Sequence, residues 1–287
     1  CCSHTLSAAQ SAPEDTKTLR VFIFAGQSNM VGSDSNANEI DDFASFMGTG
    51  DEQTKIRYSY AIGRGNMHRS NGWSTLQPVN NVVGPELSFG KIVSEQIKAP
   101  IAIIKCASGG TTLGGDWNPD DPSGFKLYPL AFELIQEALQ SLESKKIKYR
   151  IEGFFWHQGE NDMFNDAYKA NYAANLKNFI QRWRDDLKTP ALPFYIGELS
   201  CKTVWGMDNR NNMYAISEAQ KEVCDEDARA TYIPTNHVGV LTKSSNGLHY
   251  HYGTLGQLEH GHNYATQYLS SIGKLEIKDR RYKKWPL

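Results

Sequence analysis

Short apolar runs alternate with longer amphipathic segments from residue 19 onward. The apolar runs have the length and continuity of strands buried on both faces, whereas the segments between them place apolar side chains at helical spacing. The predicted strands are 19–25, 101–107, 151–157 and 192–198, with a weaker fifth at 228–234. The predicted helices are 84–98, 128–144, 165–187, 211–227 and 254–273. Asn165 is the expected N-cap of the third helix.

This alternation predicts a parallel sheet covered by helices on both faces. Right-handed crossovers place the carboxyl ends of such strands along one edge, where ligand sites form. The segment 34–83 breaks the pattern, because it is rich in Gly, Asn and Ser and carries Trp73. Long irregular inserts are often binding loops, and we interpret this segment as one.

The chain of 287 residues divides into three predicted parts. Residues 1–17 are small and polar and predict a disordered leader or tether, 18–275 form one globular domain, and 276–287 form a basic, solvated tail. Cys1 is either the lipid-bearing first residue of a lipoprotein, or residues 6–12 are the end of a signal peptide. Both hypotheses predict a secreted, periplasmic or lipoprotein-anchored protein. The third alternative is that the sequence starts at an arbitrary residue, and it predicts no location.

The charge balance and the cysteine content limit the kinds of ligand and partner that the protein is expected to bind. Thirty basic residues nearly balance thirty-two acidic ones, whereas a nucleic-acid binder usually has a basic excess. No apolar stretch approaches the roughly 18 residues of a membrane helix, so a lipidated Cys1 is the one expected route to a membrane. Five cysteines without a CxxC pattern make a structural zinc site unexpected. A bridge between Cys201 and Cys224 stays open.

The first predicted strand runs into the motif "GQSNM" at residues 26–30. Glycine permits a tight exit from the strand, and Ser28 then stands at the strand end. A serine in this position attacks a carbonyl carbon when a base removes its proton. Taken alone, the motif fits a serine N-cap equally well.

Two further strand ends carry polar groups suited to acyl transfer. The second ends in Gly109 and Gly110, whose backbone N–H groups can face an oxyanion. The third ends in "WHQGE", in which the Gln158 amide can donate to the same oxyanion and Glu160 can orient an imidazole. His249 and His251 precede the last predicted helix and are candidates for the general base.

Together these motifs resemble the SGNH hydrolase superfamily, and more narrowly its sialate O-acetylesterase and acetylxylan esterase branch, carbohydrate esterase family 6. "GQSNM", "GGT" at 109–111, "WHQGE" at 156–160 and the late histidines occur in the order of that family, and the similarity spans about 19–272. The resemblance implies an α/β fold, a three-layer α/β/α sandwich with a five-stranded parallel sheet of flavodoxin-like type. It also implies that Ser28 is the nucleophile and that the oxyanion donors are the N–H of Ser28, Gly109 or Gly110, and Gln158.

The resemblance leaves the catalytic histidine open between two alignments. Many family members carry Asp-x-x-His before a Gly-Gln pair at a helix start. Counted from upstream, His249 fits, with Asn246 in the place of the acid. Counted back from the helix, His251 fits, with Leu248 in that place, and we favour His251 because this alignment needs no insertion. Since the usual Asp is missing in both, Glu160 is the candidate third member, and an acid-free Ser–His dyad is the alternative.

These residues predict a serine esterase that removes O-acetyl groups from carbohydrates, of acetylxylan or sialic acid type, through an acyl-enzyme and without a metal or cofactor. The expected partner is an acetylated oligo- or polysaccharide, and the candidate substrate contacts are Gln27, Asn29, Trp73 and Trp117. One alternative is a lipase, arylesterase or thioesterase with the same fold. The other is a catalytically impaired carbohydrate-binding surface protein, which the missing Asp favours.

Overall fold

A computed structural model describes residues 15–64, 67–204, 207–235 and 250–276. The strands are β1 (Leu19–Gly26), β2 (Gln53–Ile62), β3 (His68–Arg69), β4 (Ser74–Leu76), β5 (Ile101–Ala107), β6 (Tyr149–His157), β7 (Phe194–Gly197), β8 (Thr203–Val204), β9 (Met207–Asp208) and β10 (Ala230–Ile233). The helices are α1 (Ser28–Val31), α2 (Pro85–Gln96), α3 (Leu127–Ser144), α4 (Asp166–Ala170), α5 (Tyr172–Asp186), α6 (Arg210–Glu226) and α7 (Gly253–Ser271). Short 3-10 helices lie at Ala37–Asp42, Ala44–Phe46 and Asp162–Phe164.

The central sheet has eight strands in the order β10-β7-β6-β1-β5-β2-β3, with β4 also paired to β2. The strands from β10 to β2 are parallel to their neighbours, whereas β3 and β4 are antiparallel to β2. All five predicted strands are present, and the predicted α/β class is confirmed. The sheet is larger than expected because β2, a sixth parallel strand, lies within 34–83, which the sequence predicts to be a loop.

Alternate side chains of β1 supply two separate cores, one on each face of the sheet. Val21 and Ile23 belong to the core shared with α3, α5 and α6. Phe22 and Phe24 belong to the core shared with α2 and α7. Because successive residues of a strand point to opposite faces, this division confirms the three-layer arrangement and places β1 at its centre.

The predicted helix 165–187 is divided at Asn171 into α4 and α5. Its predicted N-cap is present, since the Asn165 side chain accepts a hydrogen bond from Tyr168 N at 3.0 Å. Cys201 and Cys224 are buried thiols that do not form a disulfide with each other. Cys1 and most of the predicted leader and tail lie outside the described residues. Within the described ranges, no helix combines the length and apolar character needed to cross a membrane.

Candidate active site

The turn between β1 and α1 places Ser28 at the carboxyl edge of the sheet. Gly26 has φ 152°, and a Cβ added there would lie 2.0 Å from the His157 carbonyl oxygen, so no larger residue fits. Gln27 N donates to the same carbonyl at 3.0 Å. Ser28 begins the next helix and is 8% exposed. The strand–turn–helix geometry expected for the nucleophile is therefore present.

A cavity of about 350 Å³ opens beside Ser28. Six of the residues predicted from the motifs line it: Gln27, Ser28, Gly109, Gly110, Glu160 and His251. They come from the ends of β1, β5 and β6 and from the segment before α7. Topology thus assembles groups that lie more than 200 positions apart in the chain, as is usual at the carboxyl edge of a parallel sheet.

The glycine loop after β5 lies against Ser28. A Cβ added to Gly109 would lie 3.5 Å from the Ser28 Cβ, so the Gly109 backbone passes directly beside the serine side chain. Ser108 N donates to Gly26 O at 3.1 Å, which ties the two strand ends together. The glycine loop and the Ser28 side chain are therefore direct neighbours at this edge of the sheet.

Gln158 is fully buried, and its amide is already engaged within the protein. Its Nε2 donates to Asp162 Oδ2 at 2.6 Å and to Thr111 O at 2.8 Å. Both N–H groups of the amide thus have acceptors, which corrects the expectation that Gln158 donates to the oxyanion. Gln158 instead fixes the position of the glycine loop through its hydrogen bond to Thr111 O.

Asp162 organises the same loop, and the sequence analysis missed it. Its carboxylate accepts hydrogen bonds from Leu113 N at 2.9 Å and Gly114 N at 3.0 Å in addition to Gln158. Burial raises the pKa of Asp162 to about 6, although these hydrogen bonds act to lower it. The available signal was a second acidic residue two positions after the "WHQGE" motif, in the same polar run.

His251 faces a carboxylate that sequence analysis also missed. Its Nδ1 lies 2.7 Å from Oδ2 of Asp34, and the two side chains are 12% and 39% exposed. Asp34 has φ 60°, a left-handed conformation that Asp adopts more readily than most residues. The competing candidate His249 lies outside the described residues, as do Asn246 and Leu248.

Asn29 connects the turn that carries Ser28 to the segment that carries His251. Its Nδ2 donates to Tyr250 O at 3.0 Å and to Glu160 Oε1 at 2.8 Å, and its Oδ1 accepts from Tyr252 N at 3.1 Å. Both N–H donors of the Asn29 side chain are engaged within the protein, and the residue is only 1% exposed. The prediction that it contacts substrate is therefore wrong, and Asn29 clamps the backbone on both sides of His251.

Glu160 pairs with a buried histidine rather than with His251. Its Oε1 lies 3.3 Å from Nε2 of His157, which is fully buried and also lies 3.2 Å from the Tyr252 hydroxyl. Burial acts to raise the pKa of Glu160, but His157 and the hydrogen bond from Asn29 outweigh it, so the pKa is below its ordinary value. Glu160 thus lines the cavity as a carboxylate that is paired with His157, a residue buried deeper in the protein.

Neither predicted tryptophan presents a face to the cavity. Trp117 is fully buried, donates from Nε1 to Thr111 Oγ1 at 3.1 Å and packs edge-on against Trp156 at 5.2 Å. Trp73 donates from Nε1 to Ala138 O in α3 at 3.2 Å. Trp117 is consequently a core residue and not a substrate contact, and Trp73 anchors its loop to the helix layer.

A serine after the first strand, a glycine loop beside it and an imidazole–carboxylate pair lining the same cavity fit a hydrolase of α/β fold. Within that class, residues 18–270 match the profile of a family described as "Carbohydrate esterase, sialic acid-specific acetylesterase". The chain belongs to this family. The predicted function class, a carboxylic ester hydrolase that removes acetyl groups from carbohydrates, is thereby confirmed.

Solved structures share the fold at low sequence identity. A protein from Arabidopsis thaliana matches with a TM-score of 0.64 at 22% identity, over 88% of this chain and 98% of its own. NanS matches with a TM-score of 0.66 at 15% identity, over 91% and 99%. A carbohydrate acetylesterase from Xanthomonas citri matches with a TM-score of 0.57 at 16% identity, over 87% and 55%. A comparison with curated proteins found no match.

Proposed function

We propose that this esterase uses Ser28 as its nucleophile, His251 as its general base and Asp34 as the carboxylate that orients the base. The observation that carries the proposal is the shared cavity: Ser28 and His251 both line it, and His251 is held through Nδ1 by Asp34. With Nδ1 donating to the carboxylate, Nε2 is the imidazole nitrogen available to accept the serine proton. Asp34 thereby takes the role expected of Glu160.

The reaction proceeds by two acyl transfers. His251 takes the Ser28 proton as Oγ attacks the acetyl carbonyl, and the N–H groups of Ser28 and of the glycine loop stabilise the oxyanion. The imidazolium then protonates the sugar oxygen, which leaves as a free hydroxyl. Water, deprotonated by the same imidazole, attacks the acetyl-enzyme, and the imidazolium returns a proton to Ser28 Oγ as acetate leaves. The Ser28 proton has then passed to the sugar hydroxyl and a proton from water has replaced it, so water is the one further reactant.

The substrate is an acetylated oligo- or polysaccharide of acetylxylan or sialic acid type. An exposed aromatic ring, Phe164 at 46% exposure, lines the cavity. An aromatic face of this kind packs against the C–H face of a sugar ring, which is the role predicted for Trp73 and Trp117.

Substitution of Ser28 tests the proposal. We expect Ser28→Ala to lower kcat on 4-nitrophenyl acetate and acetylated xylan by roughly 10³-fold or more, given the effect of losing a triad member elsewhere. Ser33→Ala is the matched control, because Ser33 lines the same cavity and the proposed mechanism assigns it no step. A fluorophosphonate probe should label the parent and Ser33→Ala but not Ser28→Ala.

The base is tested separately with His251→Asn and His249→Asn. We expect the first to approach the loss seen for Ser28→Ala and the second to retain most of the activity. Retained esterase activity in Ser28→Ala contradicts the whole proposal. A large loss confined to His249→Asn contradicts only the choice of base.

A further inference from the structure

Lys105 is a fully buried cation near the centre of the sheet, and the proposed mechanism gives it no step. It belongs to β5 and lies beside Phe24 of β1, two positions before Gly26, the residue at which β1 ends. Burial lowers the pKa of Lys105, although the neighbouring Glu86 acts to raise it. Because a charged group is costly to bury, the atoms that Lys105 contacts are informative about its role.

The Lys105 ammonium group contacts the end of the helix that carries the nucleophile. Its Nζ donates to Glu86 Oε2 at 2.6 Å and to Val31 O at 3.2 Å. Val31 is the last residue of α1, the single helical turn that begins at Ser28. The last carbonyl groups of a helix have no N–H partner within the helix. Lys105 therefore supplies a donor from the sheet to the carboxyl end of α1.

Glu86 and the backbone around it fix the ammonium group in place. Glu86 lies in the first turn of α2, and its Oε1 accepts a hydrogen bond from the Tyr58 hydroxyl of β2 at 3.1 Å. A Cβ added to Gly84 would lie 2.2 Å from both Lys105 Nζ and Glu86 Oε2, so the main chain passes directly against the ion pair. The donor that reaches α1 thus has little room to move.

Stability alone is a weak reason for this ion pair. Apolar side chains of similar volume are often as stabilising as a buried ion pair, whereas a fixed donor also defines a position. A displacement of about 1 Å at a reacting group can lower the rate by about 100-fold. The Asn29 amide ties α1 to the segment that carries His251, and Lys105 ties the carboxyl end of α1 to the sheet. The two attachments together fix the orientation of this short helix.

We propose that Lys105 is a positioning residue for the reaction: its hydrogen bond to Val31 O, maintained by Glu86, orients α1 and with it the Ser28 hydroxyl. This inference rests on the proposed function, since it assumes that Ser28 is the nucleophile. Loss of the donor should impair the attack of Ser28 on the ester more than the binding of the ester. The expected signature is therefore a lower kcat with little change in KM.

The test separates the donor from the charge. We expect Lys105→Met to lower kcat on 4-nitrophenyl acetate by about 10- to 100-fold, with KM within about threefold of the parent. Rates are expressed per folded site, counted by complete labelling with a fluorophosphonate. Addition of Glu86→Gln removes the unpaired carboxylate and should raise the melting temperature of the Lys105→Met chain. It should not raise kcat, because Val31 O still lacks the lysine donor.

Arg184→Met is the matched control. Arg184 is also a buried cation that joins a carboxylate to a backbone carbonyl, since it donates to Asp227 Oδ2 at 2.6 Å and to Leu192 O at 3.1 Å. Leu192 and Asp227 precede β7 and β10, at the edge of the sheet opposite Ser28. Arg184→Met should lower the melting temperature and leave kcat per folded site within about twofold of the parent.

Glu86→Gln alone keeps the lysine donor, and its kcat should exceed that of the double variant by about tenfold or more. This comparison still tests the inference if Lys105→Met does not fold. A double variant whose kcat recovers together with its melting temperature, or an equal kcat loss in Arg184→Met, overturns the inference. A parent that the fluorophosphonate does not label at Ser28, or full activity in Ser28→Ala, overturns the proposed function instead, so the two failures are distinguishable.

Discussion

Replacement of Asp34 by Asn removes the charge behind the imidazole and little else. Asn has the same size and adopts the left-handed conformation at φ 60° as readily as Asp. At about 4 Å between charge centres, an ion pair contributes about 4 kcal/mol at an effective dielectric constant near 20 and about 1 kcal/mol in bulk water. The Asp34 side chain is 39% exposed and that of His251 only 12%. The energy by which Asp34 stabilises the imidazolium of the transition state should therefore lie between these two values.

The expected consequence is a loss of kcat on 4-nitrophenyl acetate of roughly 10- to several hundred-fold, at about 1.4 kcal/mol per factor of ten. The loss should shrink in high salt, since a partly exposed pair is screened. Asp42→Asn is the control, because Asp42 is an exposed carboxylate in the same segment. An Asp34→Asn enzyme with unchanged melting temperature and activity within about twofold of the parent would show that another group supports the base.

Two stability predictions follow from buried charges. Burial raises the pKa of Asp162 from 3.8 to about 6, so the folding free energy it contributes is fully present below pH 3.8 and lost as the pH rises through 6. Relative to Asp162→Asn, the parent should lose up to about 3 kcal/mol between pH 4 and pH 7 in urea unfolding, whereas a constant difference contradicts this. Lys105 is fully buried, with Nζ 2.6 Å from Glu86 Oε2 and 3.2 Å from Val31 O. Lys105→Met should therefore cost about 3–5 kcal/mol by leaving Glu86 unpaired, and Glu86→Gln in the same chain should restore part of it, a rescue that a mere packing defect would not show.

The strands at the centre of the sheet could be predicted because they are buried on both faces and read as unbroken apolar runs. β2 differs from these strands because exposed Lys55 and Arg57 alternate with buried Ile56 and Tyr58. It lies toward the edge of the sheet, where it receives the short antiparallel strands β3 and β4. Such alternation is the local pattern of a half-buried strand, and it was missed because the segment around it is rich in glycine and asparagine.

The site was predictable where a residue follows a buried strand and unpredictable where its partner is distant. Ser28 and Gly109 stand at strand ends, so topology alone brings them together. Asp34 meets His251 across 217 positions of sequence, and no local pattern marks either end of that contact. A polar side chain at a strand end can also form its hydrogen bonds with other protein groups, as Gln158 does with Thr111 and Asp162. The sequence does not show whether such a side chain binds the protein or a ligand.

The hydrogen bonds of Asn29 have a mechanical consequence. Asn29 follows Ser28 directly in the chain, and its amide binds the main chain at Tyr250 and Tyr252, the two neighbours of His251. A shift of Ser28 should therefore carry His251 along with it, and the separation between the proposed nucleophile and base should vary less than either position does. One amide thus couples two segments that the chain itself keeps more than 200 residues apart.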